Sequence, residues 1–244
     1  MAHPTVSIYG IPVSTMTMEQ TVEYLTEAVR QKKAHQVITA NPIMVMAALR
    51  DPEYMEVMKS ADLIVPDGAG LVWAAKYVGR PVSERVPGID LMQELLRAGE
   101  RMGWKVYFLG ASPDVMAKAV DRLRARYPRL HIVGWRDGYF DASQDEEVIR
   151  AIREAEPDLL FVGRSQDKQE PWIYRYREVL NVPVMMGVGG SFDVISGRLK
   201  RAPALFQKLR LEWLYRLLQE PWRYKRMLDL PRFVWKIIRD KKNV

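Results

Sequence analysis

Over residues 1–199 the chain alternates short, apolar, β-rich runs with longer amphipathic stretches, and this alternation restricts the fold more than any other feature. The apolar runs predict strands at residues 35–39, 62–66, 105–109, 131–135, 158–162 and 183–187. The amphipathic stretches predict helices, among them residues 17–32, 89–102, 115–127 and 145–154. Strands that are apolar along their whole length have to be covered on both faces. The sequence therefore predicts an α/β fold with a mostly parallel sheet and helices on both of its faces.

The charge balance changes near residues 197–203. Residues 201–244 hold 12 Lys and Arg against 4 Asp and Glu, whereas the whole chain carries a net charge of only +7. We therefore predict two parts, an α/β domain over residues 1–199 and a basic amphipathic helical appendage over residues 200–244, which we call the tail. Pro221 and Pro231 are each suited to the first turn of a helix, so the tail is predicted to form three short helical pieces.

Apolar side chains recur at helical spacing within the tail. Leu205, Leu209, Trp213 and Leu217 follow one another every four residues, and a later cluster combines Phe233, Val234, Ile237 and Ile238 with nearby lysines and arginines, including Lys242. A helix with a basic face and Trp, Phe and Leu can lie in the headgroup layer of an anionic membrane. The alternative is a helical subdomain that packs on its own core or on another subunit, including a second copy in a homo-oligomer. The pattern leaves both open.

Several other functional classes are not indicated. The sequence lacks a run of about 20 apolar residues and an apolar secretory signal, so we expect the protein to act on the side of the membrane where it is made. It has no cysteine, and His3, His35 and His131 are not spaced as metal ligands. Nucleic acid is not a predicted partner.

Polar residues and glycines follow the predicted strands, where ligands bind in a parallel α/β sheet. Thr39 and Asn41 follow the first strand and Asp67 the second, and Gly110, Gly189 and Asp193 follow later ones. Glycines at such turns allow a backbone to approach a phosphate, and they also serve simply to make tight turns. Neither a GxGxxG motif nor a Walker A lysine motif is present.

Asp67 and Arg85 are the most specific candidates for catalytic or anion-binding residues. Asp67 stands before Gly68 and Gly70, where a carboxylate can take a proton from a substrate hydroxyl or can cap the next helix. Arg85 can hold an anion, or it can be a surface residue before a helix that begins near Gly88. The sequence has no Asp-x-Asp motif, so a diphosphate would have to be neutralised by Arg, Lys, amides and helix dipoles, and no metal is expected.

The order and spacing of several stretches resemble a known family. They are Thr39-Ala40-Asn41-Pro42, Asp67-Gly68, Arg85-Val86-Pro87-Gly88, Asp137-Gly138-Tyr139-Phe140, Lys168-Gln169-Glu170, the run from Gly187 to Gly197, Lys200-Arg201-Ala202-Pro203, the run from Leu211 to Leu218, and Glu220-Pro221. Together they resemble the WecG/TagA/CpsF family of bacterial glycosyltransferases, and within it most closely the TagA-type N-acetylmannosaminyltransferases. The resemblance extends over essentially the whole chain.

The resemblance implies a Rossmann-like, GT-E-like fold and a metal-independent, inverting enzyme at the cytoplasmic face of the plasma membrane. Its reaction would move N-acetylmannosamine from UDP-ManNAc to the 4-hydroxyl of the GlcNAc on a polyprenyl diphosphate, in wall teichoic acid synthesis. By motif, Asp67 corresponds to the general base, Arg85 and Gln169 to residues that hold donor or acceptor, and Thr39, Asn41 and Tyr139 to the substrate pocket. Arg216, Arg223 and Arg226 correspond to tail arginines that steady the leaving diphosphate.

Two alternatives stay open at this point. One is a family member with another donor, such as UDP-ManNAc uronic acid or UDP-glucose. The other is a non-catalytic peripheral membrane protein that binds nucleotide sugar or acts as a scaffold. The chain also departs from the family pattern G-x-G-x-P-K/R-Q-E, because Ser165 and Asp167 stand where a glycine and a proline are usual. We expect this departure to shift Gln169 or to be absorbed by the loop.

Overall fold

A computed structural model describes residues 3–241 and residue 244. Its strands are β1 (Thr5–Ile8), β2 (Ile11–Ser14), β3 (His35–Ala40), β4 (Leu63–Pro66), β5 (Lys105–Gly110), β6 (His131–Arg136), β7 (Leu159–Gly163) and β8 (Val184–Gly187). In this part of the chain β1 and β2 form an antiparallel hairpin, and the other strands form a parallel sheet in the order β4-β3-β8-β7-β5-β6. The six predicted strands are confirmed to within one residue at each end.

Helices connect the strands and follow the last of them. They are α1 (Met18–Arg30), α2 (Pro42–Ala48), α3 (Pro52–Ser60), α4 (Ala69–Tyr77), α5 (Gly88–Met102), α6 (Pro113–Arg126), α7 (Asp145–Ala155), α8 (Gln166–Leu180), α9 (Ser191–Ile195), α10 (Ala204–Lys208), α11 (Glu212–Gln219), α12 (Tyr224–Met227) and α13 (Asp229–Arg239). Short 3-10 turns span Ala142–Gln144 and Pro221–Arg223. The four predicted helices named above are confirmed as α1, α5, α6 and α7.

Both faces of the sheet are covered, as the apolar strands require. Helices α1, α5 and α6 cover one face, where Phe108, Phe161 and Phe192 are completely buried. On the other face the hairpin, α2, α3 and α4 pack on β3 and β4, while α7 and α8 pack on β5, β7 and β8. The predicted α/β fold with a parallel sheet and helices on both faces is confirmed.

The strand order decides which loops meet. The carboxyl ends of β4, β3, β8 and β7 are adjacent, so the residues that follow these strands converge on one region of the edge. Strands β5 and β6 lie beyond β7, so the loops after them are set apart from the loops after β3 and β4. The sequence alone does not give this order, because β7 and β8 insert between strands that precede them in the chain.

The tail folds back onto the α/β body. The prediction of three helical pieces is wrong for the part before Pro221, because Arg210 has a φ of 59° and divides that piece into α10 and α11. The last helix begins at Asp229, two residues before Pro231. Phe233 and Ile237 are completely buried against the body, where α13 contacts α2 and α4.

Large apolar side chains of the tail remain exposed. Exposed side chains there are Leu205, Leu209, Trp213, Leu218, Trp222, Tyr224, Leu228, Val234, Trp235 and Ile238. We call this set the tail surface. No helix in the described part of the chain is long and apolar enough to cross a membrane. Lys242, which belongs to the predicted basic cluster, lies outside the described residues.

Candidate active site

A cavity of about 830 Å³ lies at the carboxyl edge of the sheet, between the strand ends and the tail. The body contributes residues that follow four adjacent strands, among them Thr39, Asn41, Asp67, Gln169 and Gly189. The tail contributes Glu212 and a group of arginines, Arg216, Arg223 and Arg226. The structure thus brings nine of the sequence-predicted site residues into one cavity: Thr39, Asn41, Asp67, Arg85, Gln169, Gly189, Arg216, Arg223 and Arg226.

Asp67 follows β4 and faces the cavity with about 30% of its side chain exposed. Helix α4 is capped by Gly68 without a side-chain hydrogen bond, so Asp67 does not serve as its cap. The Asp67 carboxylate instead pairs with Arg85, whose Nη2 lies 3.3 Å from Oδ1. Burial raises the pKa of Asp67, whereas Arg85 and the Gly88 amide act to lower it. A carboxylate with a raised pKa is a stronger base than an ordinary aspartate.

Arg85 joins the body to the tail. Its Nε donates to the main-chain carbonyl of Asp67, and its Nη1 donates to Oε2 of Glu212 at the start of α11. Only about 27% of the Arg85 side chain is exposed, so Arg85 is not a free surface residue. A single guanidinium therefore holds two carboxylates from different parts of the chain.

Gln169 ties two neighbouring loops together. Its Oε1 accepts hydrogen bonds from the amides of Arg164 (3.2 Å) and Gly189 (3.1 Å), which follow β7 and β8. Its Nε2 donates to Glu170 at 2.8 Å. Burial raises the pKa of Glu170 to about 7. The Gln169 side chain is therefore held in place by three hydrogen bonds at the cavity wall.

Thr39 is near the end of β3 and Asn41 directly follows the strand, and both line the cavity. The Thr39 side chain packs against Gly88, where an added Cβ would lie 3.0 Å from Thr39 Oγ1. The Asn41 side-chain carbonyl caps α2 by accepting from the amides of Ile43 (3.0 Å) and Met44 (3.2 Å). Asn41 thus has a structural role through its oxygen, and it lines the cavity at the same time.

The tail arginines form one cluster with Glu220. Arg216 Nε and Arg223 Nη1 lie 3.0 and 3.2 Å from Glu220 Oε2. Arg216 also lies directly over Gly190, because a Cβ added there would be 2.1 Å from Arg216 Nη2. Burial lowers the pKa of Arg223, and the nearby Arg216 adds to this effect. Within the described residues the buried Nε of Arg223 has no hydrogen-bond acceptor.

Three predicted site residues lie outside the cavity lining. Gly110 packs on the end of β7, where an added Cβ would be 2.3 Å from the Gly163 carbonyl oxygen. Tyr139 is 77% exposed on the loop after β6. Asp193 pairs with Arg198 at 3.4 Å, and burial raises its pKa. Gly110 and Tyr139 are remote because β5 and β6 stand at the far side of the strand order.

The sequence reasoning assigned no role in the site to several charged residues, including Glu212 and Arg164. Glu212 binds Arg85, and Arg164 lines the cavity and donates to the Phe140 carbonyl at 2.9 Å. Asp167 lies outside the cavity lining and 3.8 Å from Arg226. Glu212 had a signal, since it is one of only four acidic residues in the basic tail. Asp167 occupies the position where the family pattern has proline, and here it contacts the tail.

The charge of the cavity is strongly positive. Among the described residues its lining has seven arginines and one lysine but only two carboxylates, Asp67 and Glu212. The described residues contain no cluster of three or more His, Cys, Asp or Glu side chains arranged to hold a metal ion. A basic cavity at the carboxyl edge of a parallel α/β sheet, with a partly exposed aspartate at its floor, is typical of an enzyme and is suited to anionic, phosphate-bearing substrates.

Comparison with known proteins places the chain more narrowly. The model of the glycosyl transferase WecG/TagA/CpsF family matches residues 6–244, and the chain belongs to this family of glycosyltransferases. The chain is similar to N-acetylglucosaminyldiphosphoundecaprenol N-acetyl-beta-D-mannosaminyltransferases of three bacteria. Identity is 36% with that of Bacillus subtilis (strain 168), over 98% of this chain and 93% of the relative. It is 39% for Bacillus spizizenii (strain ATCC 23059 / NRRL B-14472 / W23), over 87% and 82%, and 37% for Staphylococcus aureus (strain MW2), over 98% and 94%.

Proposed function

We propose that this protein transfers N-acetylmannosamine from UDP-ManNAc to the 4-hydroxyl of GlcNAc-diphospho-undecaprenol, with inversion at the sugar carbon. The observation that carries the proposal is Asp67, a carboxylate of raised pKa at the floor of a cavity closed by tail arginines. The names of the relatives supply the acceptor lipid and the transferred sugar. The product would be the linkage disaccharide of wall teichoic acid.

In the proposed step Asp67 takes the proton from the acceptor 4-hydroxyl. The oxygen attacks the anomeric carbon of the donor as the bond to UDP breaks, and the proton stays on the Asp67 carboxyl. A single displacement of this kind inverts the anomeric configuration. One base is sufficient for it, and among the described residues that line the cavity the carboxylates are Asp67 and Glu212.

The tail arginines are suited to the leaving diphosphate. A guanidinium offers parallel donors that match phosphate oxygens, and such contacts strengthen as negative charge develops in a site from which water is excluded. Arg216, Arg223 and Arg226 come from successive turns of the tail. The unsatisfied Nε of Arg223 among the described residues is a donor ready for such an oxygen.

Neutralisation by arginine also supports a reaction without a metal ion. We expect turnover to continue after dialysis against EDTA. Turnover that is lost on dialysis and is fully restored by added Mg²⁺ or Mn²⁺ alone would contradict this part of the proposal.

We further propose that the tail surface binds the membrane that carries the acceptor. Trp222 and Leu218 are 70% and 66% exposed, and Arg223 and Lys225 are close to Trp222 in the sequence. Burial of such side chains at a bilayer interface is favourable, and anionic lipids add roughly 1 kcal/mol per nearby Lys or Arg. In the absence of a membrane the same surface is available to a second copy of the chain. Binding to anionic liposomes should therefore weaken with rising salt and should be lost in Trp222→Ala/Trp235→Ala.

The direct test of the proposed substrate is a donor panel. UDP release is measured with UDP-ManNAc, UDP-ManNAc uronic acid and UDP-glucose, each with and without a GlcNAc-diphosphate-lipid in liposomes. The proposal expects acceptor-dependent release with UDP-ManNAc and an anomeric configuration in the product opposite to that of the donor. Release with only one of the other donors would favour the alternative donor assignment. Folded protein that binds nucleotide sugar but releases no UDP with any donor would favour the non-catalytic alternative.

A further inference from the structure

The tail brings a carboxylate to the cavity as well as arginines. Glu212 is the first residue of α11, placed directly after the turn made by Arg210 in the left-handed conformation. Its Oε2 accepts from Arg85 Nη1, and about 23% of its side chain is exposed. The other end of the same guanidinium lies 3.3 Å from Asp67 Oδ1. The tail and the carboxylate at the floor of the cavity are therefore connected through one side chain.

We propose that Glu212 is a positioning residue which, through Arg85, couples docking of the tail to the state of the Asp67 carboxylate. The inference rests on the proposed function, in which Asp67 is the base.

The physical argument follows the charges around Asp67. The groups that act on it are Arg85, Glu212 and the amide of Gly88, in addition to burial. Arg85 favours the charged form of Asp67, and Glu212 opposes it because its negative charge repels a second carboxylate. Glu212 also accepts a hydrogen bond from the Arg85 guanidinium, so Arg85 is shared between the Glu212 and Asp67 carboxylates. With the tail docked, Asp67 is a better proton acceptor than it would be with Arg85 to itself.

This coupling would serve the timing of the reaction. The tail carries the arginines proposed to bind the leaving diphosphate. It also carries Glu212, the carboxylate that affects the proton affinity of Asp67. When the tail is not docked, Arg85 is left to pair with Asp67 alone, and the base is weakened. The donor would then be protected from attack by water until the site is closed.

The test uses the full-length protein and a titration that does not depend on turnover. Aspartate carboxyl carbons are labelled with carbon-13, the Asp67 signal is assigned by its loss in Asp67→Asn, and its midpoint is followed against pH. Glu212→Gln is nearly isosteric and removes only the charge. We expect this variant to lower the Asp67 midpoint by about 0.5 to 1 pH unit. Glu212→Asp, which keeps the charge, should restore most of the difference.

Glu220 provides the matched control at the other end of α11. Glu220→Gln removes the same charge from the same helix, but Glu220 pairs with Arg216 and Arg223 and not with Arg85. The Asp67 midpoint should stay at its original value in this variant. An equal shift in both variants would overturn the proposal, because the effect would then come from the net charge of the tail.

Turnover gives a second readout. In Glu212→Gln the acidic limb of the kcat/KM profile should move to lower pH, and kcat at pH 8 should fall by about threefold to tenfold. An unchanged Asp67 midpoint in Glu212→Gln overturns the inference. So does a result in which Glu212→Gln abolishes turnover while Asp67→Asn retains it, since Glu212 would then be the base. Failure of the proposed function appears separately, as wild-type protein without acceptor-dependent UDP release, while the titration still decides the coupling.

Discussion

Replacing Phe233 tests whether the tail docks as a separable unit. Phe233 is completely buried in the cluster formed by α2, α4 and the hairpin, and α13 is the last helix of the chain. Truncating a buried Phe to Ala costs about 3–5 kcal/mol. The body keeps its own two clusters around β5 and β7, so this cost should fall on tail docking rather than on the whole fold. At about 1.4 kcal/mol per factor of ten, the ratio of docked to undocked tail should fall by between about 10²-fold and about 4 × 10³-fold.

Amide hydrogen exchange measures this directly. In Phe233→Ala, protection in α11 and α13 should fall by the factor given above, while β3 and β5 keep their protection. Ile238 lies on the same helix but is 50% exposed, so Ile238→Ala should change tail protection by less than about 0.5 kcal/mol. Equal loss of protection in the tail and in β5 would refute the reasoning, because the tail would then be part of one cooperative unit with the body. Unchanged tail protection would refute it as well.

Three further predictions concern single residues. Gly190 has a φ of −84°, so Gly190→Ala causes no backbone strain, but the added Cβ would displace the Arg216 side chain. We expect kcat to fall about tenfold in Gly190→Ala, and to fall no further when the substitution is made in an Arg216→Ala background. Burial raises the pKa of Glu170 to about 7, so the folded protein has to ionise a buried carboxyl as the pH rises from 5.5 to 8. The free energy of unfolding of the wild type should therefore fall by about 2 kcal/mol over this range, and urea unfolding should show no such fall in Glu170→Gln. Hydrogen bonding to Arg50 lowers the pKa of Asp229, so the stability it contributes is present above pH 4 and is lost as the pH falls through the lowered value. Asp229→Asn should therefore weaken tail protection by about 1–2 kcal/mol at pH 7, and the difference from wild type should vanish in acid.

The sheet was predictable because most of its strands are apolar along their whole length. Strands β3, β4, β5, β7 and β8 are largely buried, and burial on both faces leaves few other structures open to such a run. Strand β6 lies at the edge of the sheet and is partly exposed along its length. The hairpin of β1 and β2 was missed, because Thr5, Ser7 and Pro12 interrupt the apolar residues there and leave no continuous apolar run. The break at Arg210 was also missed, because an arginine carries no signal for a left-handed conformation.

Part of the site was predictable, because residues at the ends of strands that are close in sequence can be expected to meet. Residues whose location depends on the strand order or on a long-range side-chain contact were not predictable. Thr39 is near the end of β3 and Asp67 follows the neighbouring strand β4, so their meeting at the edge could be expected. Gly110 follows a strand of the same kind, yet it lies outside the cavity because β7 and β8 insert between β5 and β3. The contact of Glu212 with Arg85 joins residues 127 positions apart, and only the folded tail brings them together.

The most direct test of the account compares wild type with Asp67→Asn in one assay. UDP release from UDP-ManNAc is measured with full-length protein and a GlcNAc-diphosphate-lipid in anionic liposomes. We expect acceptor-dependent release by the wild type and a loss of about 10²- to 10⁴-fold in Asp67→Asn, with the free energy of unfolding little changed. A folded Asp67→Asn variant that releases UDP at the wild-type rate would contradict the assignment of Asp67 as the base.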